Sequence, residues 1–296
     1  MEGQKIRTVA FGYSGSGQVN QIPFYDSFAR FLDPDVVVLV FVNNDFGNNS
    51  AVLEGVRAGW HPLHPPRLFY EYDERTDRFS KIDIDPNWMD YLLPTAPPVT
   101  PNISSLTSWL SGNSFFYNQL NSRFLMNSPE LSTFLTGNPP IAEIYKARMD
   151  DIKKIDNFKE KFGDWDPTVT DIDYMFTQEE LPPAFEEAVT ITGYALEQFK
   201  GRAERDGFNL IVLTNYGVSV STYGMINGER NMYDRIYKLA NDLDIPVVDQ
   251  YDYMVSKGFV YADVTFSHDA HLSVLGHQTS AEALWEYFQV HLEICK

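Results

Sequence analysis

Three short blocks hold the residue types that acyl-ester chemistry uses. Residues 11–21 read FGYSGSGQVNQ, residues 34–49 read PDVVVLVFVNNDFGNN, and residues 267–277 read SHDAHLSVLGH. A tetrahedral intermediate needs two or three donors at its oxygen, and losing one costs about 3–4 kcal/mol of transition-state stabilisation. A glycine N–H from the turn 12–17 and an amide from Asn43-Asn44-Asp45 suit that task. His268, Asp269 and His271 supply the rest, because a carboxylate beside an imidazole fixes its tautomer and stabilises the imidazolium of a general base.

These blocks need a frame that brings them to one edge. Residues 7–11 (RTVAF) form a β-type run before the glycine turn, and 21–32 have helical spacing until Asp33-Pro34 stops them. Residues 35–42 are almost continuously β-branched, the pattern of a strand buried on both faces of a parallel sheet. A β-turn-α-β order of this kind predicts a doubly wound sheet, whose ligands sit at the carboxyl ends of the strands. Proline clusters and aromatics mark 48–175 as a large insertion. Within it, 68–85 alternates as two strands around a turn. Regular elements resume with a helix at 179–205, a strand at 209–214, a helix at 232–243, a strand at 245–249 and a helix at 280–292. The expectation is one domain over 1–296 carrying that insertion.

Composition narrows the partners. The net charge is −18 with no basic stripe, so nucleic acid and anionic membrane surfaces are discounted. The apolar run at 36–42 is far shorter than a membrane span. Residues 1–10 lack the apolar core of a signal peptide. A single cysteine, Cys295, excludes an internal disulfide and a thiolate metal cluster. Aromatic residues make up 15% of the chain, which suits stacking on sugars or acyl groups as well as filling a core.

Each block has a plainer reading. Alone, the glycine turn is a tight strand–helix connection, and Gly12, Gly15 and Gly17 do not form the dinucleotide pattern. Asn43-Asn44-Asp45 alone is a turn or a helix cap. His268, Asp269, His271 and His277 suggest a metal cluster, but no ligand elsewhere completes it. His277 then packs at the start of the last helix, while His61 and His64 sit in a proline-rich surface loop. Asp249 ends a strand and rivals Asp269 as the acid behind the histidine. Ser219, Ser221 and Thr222 line either the substrate side or an ordinary loop.

Taken in order, the blocks resemble the SGNH (GDSL-like) hydrolase superfamily. Residues 11–17 and 34–45 resemble its glycine and asparagine blocks, and Asp269 to His277 (DAHLSVLGH) resembles the D-x-H ending of its acetylation-related branch. Residues 66–69, a helix at 113–120 and 244–249 run parallel to the same branch, so the likeness covers nearly the whole chain. It implies a three-layer α/β/α sandwich with a flavodoxin-like parallel sheet. It also implies Gly15 as backbone oxyanion donor, Asn44 as side-chain donor, His271 as base and Asp269 as its orienting partner. The implied reaction is hydrolysis of an acyl or acetyl ester through a seryl ester, on a small-molecule or carbohydrate substrate, or acyl transfer to a polysaccharide hydroxyl. No metal or organic cofactor is implied.

The sequence departs from the pattern at the acid, since His268 stands three residues before the histidine where most members have it. Ser273 stands where the branch often has Asn. The larger departure is the nucleophile. The family carries its serine after a strand that precedes everything seen here, and Ser14 and Ser16 lack the G-x-S-x-G elbow. The expectation is therefore a chain whose nucleophile block and first strand are missing by truncation, or a noncatalytic relative that binds at the same pocket. A nucleotide-binding α/β domain is the third alternative, weakened by the absent phosphate loop. With the first strand gone, 7–11 must pair directly with 35–42, detach, or leave an open slot, and the chain is expected to be poorly stable. Cellular location does not follow from these residues.

Overall fold

The computed structural model describes residues 6–12, 15–58, 68–82, 157–166, 172–215, 229–266 and 269–292. The expected helix at 113–120, His61, His64, His268, Ser219, Ser221 and Thr222 lie outside the described residues. The fold is mixed α/β. A small parallel sheet is built from β1 (Val36–Phe41), β4 (Asn209–Thr214) and β5 (Val247–Asp249), in the order β1-β4-β5. Its register pairs Val36 with Asn209 through Phe41 with Thr214, then Val212 with Val247 through Thr214 with Asp249.

Helices cover both faces. On one lie α1 (Gln18–Ser27), α5 (Pro183–Asp206) and α6 (Glu229–Asp242), which bury Val19, Ile22, Phe185, Ile191, Leu196, Tyr233 and Ile236 against Leu39, Phe41 and Val212. On the other lies α9 (Val274–His291), whose Ala283, Leu284 and Phe288 meet Ile211, Leu213 and Val248. α5 is the spine of the larger core. It starts at Pro183, where a missing N–H costs nothing, and ends on Gly207 at φ +82°. Its buried Ala184, Ala188, Ile191, Ala195 and Phe199 recur every three to four residues, one stripe of a 3.6-residue helix.

The helix expected at 21–32 begins earlier and ends earlier. It occupies Gln18–Ser27, then passes into a 3₁₀ turn at Ala29–Leu32 that closes on Asp33 in the left-handed region, φ +50°. The expected hairpin forms as β2 (Phe69–Asp73) and β3 (Arg78–Ile82), antiparallel, with Tyr70 and Phe79 packed on Tyr194 of α5. The final helix starts at Val274, six residues before its expected start.

Two expectations about the sheet fail. Residues 7–11 are not a strand: they are exposed and without regular structure, the detached outcome among the three considered. The run at 35–42 is not buried on both faces. Leu39 and Phe41 are buried, but Val40 on the α9 face is 41% exposed. The reason is shared, since only β4 flanks β1 among the described strands and so β1 is an edge.

Candidate functional site

A buried polar network ties the amino end of α1, three residues after Gly15, to Asp45 and Asn49, just after Asn44. Three elements enter it: the amino end of α1, the short α2 (Asp45–Asn49) that follows β1, and the long α5. Asp45 and Asn49 are four apart and share a face of α2. Gln18 Nε2 donates to Asp45 Oδ2 at 2.6 Å and to the Val40 carbonyl at 3.3 Å. The same Asp45 oxygen accepts from Val42 N–H at 3.0 Å. Asn49 Nδ2 donates to Gln18 Oε1 and to Thr192 Oγ1, both at 2.9 Å, while its Oδ1 accepts from Val19 N–H at 2.9 Å. Gln18, Asp45, Asn49 and Thr192 are all buried. Buried polar groups that satisfy one another in this way rigidify their surroundings.

The network dictates the glycine at position 17. A Cβ built there falls inside contact distance of Asn49 Oδ1 and lies 2.9 Å from the Asp45 carbonyl, so no larger residue fits between α1 and α2. Gly15 adopts φ +70°, in the left-handed region that favours glycine. Asn44 stands at the amino end of α2 with φ −90° and ψ 0°, and its side chain does not cap that helix. The plain reading of Asn44 as a helix cap is thus not realised. Ser16 is half-buried beside this turn, and Ser14 is outside the described residues.

His271 reaches the same end of the sheet from the opposite side. It lies on β7 (Asp269–Leu272), paired antiparallel to β6 (Thr265–Phe266). Two residues on, Ser273 Oγ accepts from Gly276 N–H at 3.3 Å and caps α9. Gln250, the first residue after β5, donates through Nε2 to the Gly276 carbonyl at 2.9 Å. The amino end of α9, and β7 with it, is therefore fastened at the carboxyl end of β5. β1 and β5 are separated by β4 alone, about 10 Å at ordinary strand spacing. His271 is exposed. Asp269 is described by its backbone only, two residues before His271 in the same strand. His277 lies in the first turn of α9 and is exposed.

Asp249 has another occupation. Its carboxylate caps α7 (Gln250–Ser256), accepting from Tyr251 N–H at 2.7 Å and Asp252 N–H at 3.2 Å, and it also accepts from the Tyr237 hydroxyl. Burial pushes the Asp249 carboxyl above the usual range, and the Tyr237 and backbone donors pull it partly back. Capping explains why the chain ends β5 with an aspartate.

A cavity of about 420 Å³ opens elsewhere, at the amino ends of β4 and β5, lined in part by Lys200, Phe208, Ile245, Tyr287 and His291. None of the residues expected to do chemistry borders it. Among the described residues, no group of three His, Cys, Asp or Glu is arranged to hold a metal ion. No described helix is long and apolar enough to cross a membrane.

Sequence reasoning quoted Gln18 and Asn49 without a role and read Asp45 only as part of the Asn43-Asn44-Asp45 turn, while Thr192, inside α5, carried no signal. No family model matches the chain, and no curated protein or solved structure matches it either. The functional reading therefore stands on residues and geometry.

Proposed function

We propose that the carboxyl end of this sheet is the oxyanion-and-base part of an SGNH-type ester site, in a three-layer α/β/α fold. The observation that carries the reading is the buried Gln18–Asp45–Asn49 network, which ties the chain just after the left-handed Gly15 to the helix that begins directly after Asn44. A glycine N–H in a left-handed turn and an asparagine amide are the two kinds of donor that an ester-derived oxyanion requires. His271 acts as the general base, with Asp269 as its orienting partner. The nucleophile remains unassigned, so the reading concerns polarisation of the ester carbonyl and proton transfer. The substrate class is an acyl or acetyl ester of a small molecule or carbohydrate.

An added nucleophile tests this directly. Hydroxylamine attacks the carbonyl of p-nitrophenyl acetate, giving acetohydroxamate and releasing p-nitrophenolate. The chain should accelerate that release saturably with ester concentration. Asn44→Ala and His271→Ala should each lower the acceleration at least about tenfold, a modest fraction of what one oxyanion donor or general base contributes. Equal release by all three proteins overturns the assignment. Turnover without hydroxylamine that vanishes in His271→Ala would show that His271 activates water or a side chain of this chain as the nucleophile.

A further inference from the structure

The outer edge of β1 is cut for one more strand. Asn209 and Asn215 N–H donate to the carbonyls of Asp35 and Phe41, so the odd-numbered residues of β1 turn their backbone groups toward β4. The even-numbered ones turn theirs away. At the carboxyl-terminal end, two side chains close that outer edge. Gln18 Nε2 donates to the Val40 carbonyl and Asp45 Oδ2 accepts from Val42 N–H. Below them, both backbone groups of Val36 and Val38 and the N–H of Val40 face outward, with no strand opposite them among the described residues. Outward groups on three alternate residues match a partner of about five residues, since each residue of a parallel partner that faces the edge bonds twice.

Residues 6–11 have the right length, place and direction. α1, α5 and α6 all pack on one face of the sheet, and the chain steps from β1 to β4 to β5 beneath them. Parallel crossovers keep a single hand. A segment that leads into α1 must then lie on the side of β1 opposite β4, which is the open edge. Gly17 is pinned against Asp45 and Asn49 at the carboxyl end of β1. Taken as the first strand of one more crossover of that hand through α1, residues 6–11 run parallel to β1.

We propose that residues 6–11 are a strap that closes on the outer edge of β1 as an added parallel strand. In the detached form Ile6 is 60%, Val9 49% and Phe11 43% exposed, and Val40 of the edge is 41% exposed. Pleating puts Val9 and Phe11 on one face of the strap and Ile6 and Ala10 on the other, so closure extends both apolar layers of the sheet.

Amide hydrogen exchange on the full chain, read by NMR, tests the strap without any chemistry. The Val38 and Val40 amides point to the outer edge, whereas those of Val37, Leu39 and Phe41 point to β4 and report on the intact core. Val38 and Val40 should exchange at least about tenfold more slowly in the native chain than in Val9→Pro, with the inner amides unchanged. Equal rates in the two proteins overturn the proposal. Protection that survives Val9→Pro overturns it as well, and protection that grows with protein concentration assigns the edge to a second copy instead. Failure of the hydroxylamine assay leaves this measurement untouched, so the two ideas fail separately.

Discussion

The contact between Gly17 and Asn49 makes a quantitative prediction about the frame of the site. Asn49→Ala strips partners from Val19 N–H and Gln18 Oε1, whereas Thr192 keeps its bond to the Ala188 carbonyl at 2.8 Å. Two buried groups without partners cost about 1–3 kcal/mol each, so the variant should lose about 2–6 kcal/mol. Gly17→Ala drives a methyl into Asn49 Oδ1, 2.8 Å from its Cγ and 2.9 Å from the Asp45 carbonyl. Asn49 yields only by giving up the same bonds, so this variant should cost about 2–4 kcal/mol. In the double variant the Asn49 atoms are gone and only the Asp45 carbonyl remains close. The added cost of the methyl should then fall to about 1 kcal/mol, leaving a favourable coupling of about 1–3 kcal/mol. Urea unfolding of the four proteins, with slopes compared to confirm a common transition, measures the cycle. A double variant whose loss equals the sum of the singles within about 0.5 kcal/mol would refute the claim that Asn49 is what forbids a side chain at position 17.

Two further outcomes follow from the opposite side of the sheet. A Cβ on Gly276 would press into the Val264 carbonyl, with Leu272 Cδ2 at 2.9 Å behind it, so Gly276→Ala should lower stability by about 2–4 kcal/mol; an unchanged thermal midpoint would contradict this packing of α9. Asp249 has a raised folded pKa because it is buried, so its stabilising contribution is complete below the unfolded carboxylate value near 3.9 and declines as pH rises through the folded one. Asn can keep the cap at the start of α7 without that titration. Asp249→Asn should therefore gain on the native chain as pH rises from about 3.5 to about 7. A stability difference that is flat with pH would remove burial as the cause.

Much of the local structure was legible because its causes are local. Alternation around a short turn specified the β2–β3 hairpin. The long helix expected at 179–205 forms as α5, four residues later at its start, where Pro183 opens it. The apolar run NLIVLT marked β4, the central strand of the described sheet. The residues of the candidate site were also legible by type, since a glycine turn, an asparagine after a strand and a histidine near an acid announce themselves. The polar network that sets the turn was not, because Asn49 joins Gln18, 31 positions before it, to Thr192, 143 positions after it.

Tertiary structure alone decided the remainder. The run VVVLVF is apolar enough for a strand covered on every side, yet the sequence cannot count its neighbours, and among the described strands β1 is an edge with Val40 exposed. Residues 7–11 have equal β character and form no ladder in the described structure, because β propensity becomes a strand only when hydrogen bonds find a partner edge. Asp249 reads as a candidate acid by type, and its place before α7 makes it a cap. Asn44 reads as a cap, and its geometry leaves that role unfilled. Residue types determined what chemistry the chain can offer. Which groups share an end of the sheet, and which stay bound to their own helices, was settled by packing between segments far apart in sequence.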